Sequence, residues 1–231
     1  MIKNLFKYLS LIIIGITLLV SCNEKKTKTR SNDENPLYQD ASASIEDRID
    51  DLISRMTLED KAAQMSQYVG LEHMKQALGD LTEEDLDKND AKGFYPGFKT
   101  SDIAKLTKEG KIGSFLHILT AEEANKLQKL AQQSPLKIPL LIGIDAIHGN
   151  AYYQGGATVY PTPITQAATF DDSLMVKASI ETAKEMRATG TQWTFTPNID
   201  VLRDPRWGRT GETFGEDPFL VGNMGVASIK G

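Results

Sequence analysis

From Ile45 onward, apolar residues recur at three- and four-residue steps. Ile45, Ile49, Leu52, Ile53 and Met56 share one face, which predicts a helix. Thr57-Leu58-Glu59-Asp60 opens a second one, with Thr57 as N-cap, Asp60 at the third helical position, and Ala62, Ala63 and Met65 on its buried face. Residues 79–110 are mixed and charged, broken by Gly93, Pro96 and Gly97, and predict loops with one or two short helices. Beyond them an alternation sets in. Lys111 to Leu119 (KIGSFLHIL) suits a short strand, and Thr120 followed by Glu123 caps a helix running to about Gln133. Ile138 to Asp145 (IPLLIGID) is the nearly continuous apolar run of a parallel strand covered on both faces. Asp171 or Asp172 starts a helix with Met175, Ala178, Ala183 and Met186 on one side. Trp193 to Thr196 predicts a strand and Asp217 to Ile229 a last helix. Three β-then-α units in order predict an α/β fold with a parallel sheet.

The N-terminus follows a different pattern. Lys3 and Lys7 precede an apolar run of 12 residues, Leu9 to Val20. A spanning helix needs ~20 apolar residues, so this run suits a targeting segment better than a transmembrane helix. It ends in Leu19-Val20-Ser21-Cys22, which resembles the lipobox of bacterial lipoproteins. That resemblance implies cleavage before Cys22 and acylation of its thiol, giving a chain anchored to a membrane without spanning it. The alternative is a plain signal peptide with a chance cysteine. Asn23 to Pro36 (NEKKTKTRSNDENP) carries no large apolar residue and predicts a flexible tether. The expected organisation is a signal peptide over 1–21, a tether over 22–44 and a folded body over 45–231. The expected location is the cell envelope, at the periplasm or outer membrane.

Composition narrows the function. The 231 residues are 40% hydrophobic and 25% charged, with net charge −5. Residues 1–30 hold six basic side chains and one acidic, so the remainder sums to −10. An acidic body without a dense basic patch argues against nucleic acid as a partner. The single cysteine excludes an intramolecular disulfide, and His73, His117 and His148 at unrelated spacings do not suggest a metal site.

In parallel sheets, polar residues just past the carboxyl ends of strands face the ligand. Asp145, in Asp145-Ala146-Ile147-His148-Gly149, occupies such a place, where it either caps the following turn or faces a cleft. His148 reads equally as a structural histidine. The second place is residues 196–218, where acidic and basic side chains interleave with Pro205, Trp207, Gly208 and Phe214. This mixture suits either a structural ionic loop or a buried ion-pair network beside a cleft, with arginine forks aimed at hydroxyls or carboxylates. Glu216-Asp217, next to Pro218, reads as a helix cap.

Several segments together resemble glycoside hydrolase family 3, the β-glucosidase and glucan exohydrolase group, from about Ile45 to the end. RIDDLISRMTLEDKAAQM (48–65) is similar to the family's opening helices, and IPLLIGIDAIHG (138–149) to its strand ending in Asp-x-x-His-Gly. YPTPITQAATFD (160–171) resembles its turn and helix, and PNIDVLRDPRWGRTGETFGEDP (197–218) is the most specific piece. The resemblance implies a (β/α)8 TIM-like barrel. Such a barrel needs about 250 residues, and the body holds 187, so the expectation is its N-terminal part, incomplete in this chain. It also implies an exo-acting retaining β-glucosidase without a cofactor, acting on an oligosaccharide or β-glucoside. Asp145 and Arg209 match the aspartate and arginine that bind the sugar in the −1 subsite. Arg203, Asp204, Arg206, Glu212, Glu216 and Asp217 match structural positions. The family's Lys-His pair, its nucleophile and its acid/base have no counterpart before Gly231, so no catalytic residue is expected in this chain and those groups are expected downstream. A β-xylosidase of the same family is the enzymatic alternative. A non-catalytic envelope lipoprotein that binds sugar is the alternative from another class.

Overall fold

The computed structural model describes residues 35–77, 79, 82, 84, 99–153 and 155–231. Cys22, the signal segment and most of the tether lie outside the described residues, as do Gly93, Pro96 and Gly97. The chain divides into two units, Met1–Thr57 and Leu58–Gly231.

In the first unit, Leu37–Gln39 forms one 3-10 turn and Ile45–Arg55 a helix, α1. Ser44 caps α1 by accepting from the Asp47 amide, and Asp51 ties the turn to the helix by accepting from the Tyr38 amide at 3.0 Å. The predicted periodicity is present, yet Ile45, Ile49 and Ile53 are exposed and no residue of α1 is buried. Among the described residues of this unit only the short 3-10 turn packs on α1, too little chain to cover its apolar face.

The second unit runs α2 (Leu58–Gln64), β1 (Gln67–Val69), α3 (Leu71–Ala77), α4 (Asp102–Lys108), β2 (Ser114–Leu116), α5 (Ala121–Ala131), β3 (Leu141–Ile144), α6 (Pro163–Ala167), α7 (Asp172–Ala188), β4 (Trp193–Thr194) and α8 (Pro218–Lys230). The strands form one parallel sheet in the order β1-β2-β3-β4, paired Tyr68 to Phe115, Phe115 to Ile142 and Ile144 to Thr194. Sequential parallel order with helical crossovers is the wall of a (β/α)8-type barrel. Here the sheet is part of such a barrel and stays open.

Phe115 and Ile142, both fully buried, pack with Met74 of α3, Ile103 of α4 and Leu127 of α5 into the main core. Ala167, Phe214, Val221 and Met224 make a second cluster joining α6, the loop before α8, and α8. Three of the predicted caps are in place: Thr120 accepts from the Glu123 amide, Asp171 from the Ser173 and Leu174 amides, and Asp217 from the Phe219 amide. Several details differ from expectation: the strands are shorter than the runs that predicted them, and Ala62, expected on the buried face of α2, is exposed, with no residue of α2 buried. β1 is a strand the pattern did not predict, since three residues are too few to show alternation. Met65 is 88% exposed because α2 ends at Gln64 and Met65-Ser66 turn into β1. Among the described residues no helix is long and apolar enough to cross a membrane.

Candidate sugar-binding site

The site is assembled at the carboxyl ends of β1, β2 and β3. One register step beyond the Leu116–Gly143 pair, the His117 amide donates to the Gly143 carbonyl at 2.9 Å. There the β2 backbone turns into the left-handed region, with His117 at φ 56°. A non-glycine residue in that conformation carries strain that its surroundings must offset. Those surroundings are tight. The Gly70 amide donates to the Leu116 carbonyl at 2.8 Å, and a Cβ on Gly70 would lie inside contact distance of the His117 carbonyl oxygen. Glycine is therefore required where β1 passes into α3.

His117, buried, is held on three sides. Its Nε2 lies 3.0 Å from Asp145 Oδ2, its Nδ1 lies 3.4 Å from His73 Nε2, and its ring stacks on Tyr152 at 4.4 Å between centroids. His73 meets His117 edge-on at 4.5 Å. Burial and the neighbouring His117 hold the His73 imidazole below the ordinary histidine range, against an opposing pull from Asp145. Asp145 follows β3 directly, and its side chain remains 35% exposed. Its carboxylate thus faces two ways, one oxygen fixed by a buried imidazole and the group still open to solvent. The capping alternative is not what its contacts show.

The loop after Asp145 is anchored by the fully buried Asn150, whose Nδ2 donates to Thr189 Oγ1 at 3.1 Å, and by the Tyr160 amide donating to the His148 carbonyl at 2.8 Å. His148 lines a cavity of about 310 Å³ with Met175, Ala178, Ala183 and Met186, the predicted apolar side of α7. Asp145, His117 and Arg209 do not line that cavity.

The ionic loop is stapled at its base by the Leu202 amide donating to the Gly215 carbonyl at 2.9 Å and by Phe214, which is buried in the second cluster. Its ion pairs are local and solvated, which corrects the buried-network alternative. Asp204 accepts from Arg206 Nε at 3.0 Å, and Glu212 Oε2 accepts from Arg209 Nε at 2.9 Å and Nη2 at 2.6 Å. A short loop turning back through 3-10 turns at Pro205–Trp207 and Thr210–Glu212 can pair only near neighbours. Arg209 is exposed, and Glu212, then Asp145 and Asp200, push its guanidinium further above its ordinary range. Asp145, 64 positions away in sequence, is thus a minor contributor beside Glu212 to the raised Arg209 value. Sequence reasoning missed His73, His117 and Tyr152. The signal available was that His117 ends its strand as Asp145 ends the next. Among the described residues no group of three His, Cys, Asp or Glu side chains is placed to hold a metal ion.

These elements make a parallel barrel wall with a partly exposed carboxylate at a strand end. The sequence profile of the Glycosyl hydrolase family 3 N terminal domain matches residues 57–231, and the chain belongs to that family. It is 32% identical over 218 residues to a probable beta-glucosidase C of Aspergillus oryzae, covering 88% of this chain and 32% of that one. A periplasmic beta-glucosidase/beta-xylosidase of Dickeya chrysanthemi is 32% identical over 213 residues, covering 89% and 31%. A beta-glucosidase from Listeria innocua, solved in complex with isofagomine, superposes with a TM-score of 0.61 at 31% identity over 81% of this chain and 23% of that one. The chain therefore spans about a third or less of the relatives it matches.

Proposed function

We propose that this chain supplies the sugar-binding part of an exo-acting retaining β-glucosidase that hydrolyses terminal non-reducing β-D-glucosyl residues. The observation that carries the reading is the Asp145 carboxylate at the β3 terminus, with one oxygen fixed by His117 and the group still partly open to solvent. An ionised carboxylate accepts from vicinal sugar hydroxyls, and a guanidinium fork donates to them. Together they hold the terminal sugar and leave its anomeric carbon to the reacting groups.

In the retaining reaction a carboxylate oxygen bonds to the anomeric carbon while a second carboxyl gives its proton to the departing glycosidic oxygen. Water then adds at the same carbon, giving its proton back to the second carboxyl and releasing the first. Those two groups stand ~5–5.5 Å apart, and this reading supplies both from outside residues 1–231. Their absence among the matched motifs makes 1–231 alone inactive. Cys22 carries the lipid anchor that places the enzyme in the cell envelope, a location in keeping with the periplasmic Dickeya relative.

The test is hydrolysis of an aryl β-D-glucoside by the complete product of the gene, with Asp145→Asn lowering kcat/KM by about 100-fold through loss of charge-assisted bonds to the sugar. Absence of hydrolysis would refute the enzymatic reading and leave a sugar-binding lipoprotein. An unchanged Asp145→Asn would refute the subsite. The Dickeya relative's double description favours β-xylosidase as the second reading, and the ratio of kcat/KM on xyloside and glucoside decides between them. Incorporation of labelled palmitate, lost in Cys22→Ser, tests the anchor.

A further inference from the structure

The two histidines behind Asp145 are given no role by the sugar-binding reading. A buried histidine on a strained strand end, stacked on a tyrosine and joined to a second histidine, is more structure than orienting one carboxylate by packing would need. We propose that His73 and His117 form a coupled pair that takes up at most one extra proton, positions the Asp145 carboxylate and sets how tightly the sugar binds. The inference rests on Asp145 being a sugar ligand.

The hydrogen-bond pattern fixes the proton count. Asp145 Oδ2 can only accept when ionised, so His117 Nε2 must donate to it. With His117 neutral, its Nδ1 is an acceptor, and His73 Nε2 must carry the proton between the two rings. When the pair takes up a proton, it settles on His117, which then donates from both nitrogens while His73 shifts to its Nδ1–H tautomer and accepts. A second proton would leave two imidazolium nitrogens 3.4 Å apart, each donating and neither accepting. Burial and the neighbouring His117, which lower the His73 value, act in the same direction.

The charged and titratable groups facing the pair come from each surrounding element. His73 stands on α3, Asp145 ends β3, Tyr152 lies in the loop after it, and Arg209 acts from the ionic loop through Asp145. Glu123 of α5 accepts from the Leu71 and Glu72 amides at the start of α3, the helix that carries His73. In the neutral state His117 leaves Asp145 a full negative charge with which to accept sugar hydroxyls. In the protonated state the carboxylate is half of an ion pair, and its bonds to a neutral sugar weaken.

The experiment is equilibrium binding of D-glucose to the complete gene product between about pH 7.5 and pH 5.5, the range in which histidines titrate. The wild-type dissociation constant rises about three- to tenfold toward the acid end, as the charge-assisted acceptor is compensated. His117→Gln keeps a donor that does not titrate, so its affinity is flat with pH. His117→Phe keeps the stack on Tyr152 and loses the donor, weakening binding about 10- to 100-fold throughout. His73→Phe, which does not touch the carboxylate, removes the partner of His117 Nδ1 and so moves the pH step, and stands in if the strained position 117 does not tolerate substitution.

A wild-type pH step that persists in His117→Gln, or wild-type affinity in His117→Phe, overturns the coupled pair. Failure of the wild type to bind glucose would overturn the sugar-site reading instead. Imidazole nitrogen NMR then decides the coupling by itself: uptake of one proton shared between the rings upholds it, and two independent titrations refute it.

Discussion

Replacing Glu123 tests how α3, and with it His73, is held in place. This α5 carboxylate is 9% exposed, and its Oε1 accepts from the Leu71 amide at 2.7 Å and the Glu72 amide at 3.4 Å. Both amides are unpaired donors of the first turn of α3, and the carboxylate also faces the positive end of that turn. Glu123→Ala leaves them without an acceptor in a buried setting. Loss of a charged acceptor at a helix start costs about 2–3 kcal/mol, or a rise of about 30- to 150-fold in local opening. Hydrogen–deuterium exchange of the peptide covering 66–77 reads that opening directly, whatever the number of domains in the complete protein.

Glu123→Gln keeps a carbonyl acceptor and stays within about fivefold of wild type at neutral pH. The pH dependence then separates charge from geometry. Burial pushes the Glu123 carboxyl above the ordinary glutamate range, and its bonds to the Leu71 and Glu72 amides only partly offset this. The folded chain therefore holds this proton more tightly than the unfolded chain does. The stabilisation linked to it is complete below the unfolded value of about 4.3 and is lost as pH rises through the higher folded value. Glutamine has no such proton, so protection in Glu123→Gln improves relative to wild type as pH increases across that window. Protection in Glu123→Ala within fivefold of wild type, or a glutamine-to-wild-type ratio that moves the other way, would refute the capping argument.

Glu212→Gln removes the charge that orients Arg209 across a solvated pair. Denaturation curves should be unchanged, since exposed pairs contribute little, while glucose affinity falls about three- to tenfold as the guanidinium loses its fixed direction. Phe115→Ala hollows the main core where β2 packs on α3, α4 and α5. It should cost about 3–5 kcal/mol in a denaturant titration, and a loss below 1 kcal/mol would show that this cluster does not hold the sheet.

The features legible in the sequence were those encoded locally. Thr120, Asp171 and Asp217 announce helix starts because a cap is a bond between residues two or three apart. The apolar run ending at Ile144 announces a buried strand, though Pro139, with no amide to donate, precedes the observed start at Leu141. What escaped was set by distant partners. His73, His117 and Tyr152 converge only because β1, β2 and β3 align their carboxyl ends, and no spacing in the chain records that alignment. The ionic loop shows a third case, since alternating charges look the same whether their pairs are buried or, as here, local and wet.

The approach of Gly70 to the His117 carbonyl sets a limit on how this site can evolve. Any side chain at position 70 would collide first with the His117 main chain, and only then with the Ile118 side chain, so truncating Ile118 does not make room for it. Gly143 differs, because a Cβ there would meet the Phe195 ring, which a compensating smaller residue could withdraw. Among viable descendants, position 143 can therefore drift together with position 195. Position 70 has no such companion, and the first turn beneath the site stays fixed in sequence for as long as the histidine stays where it is.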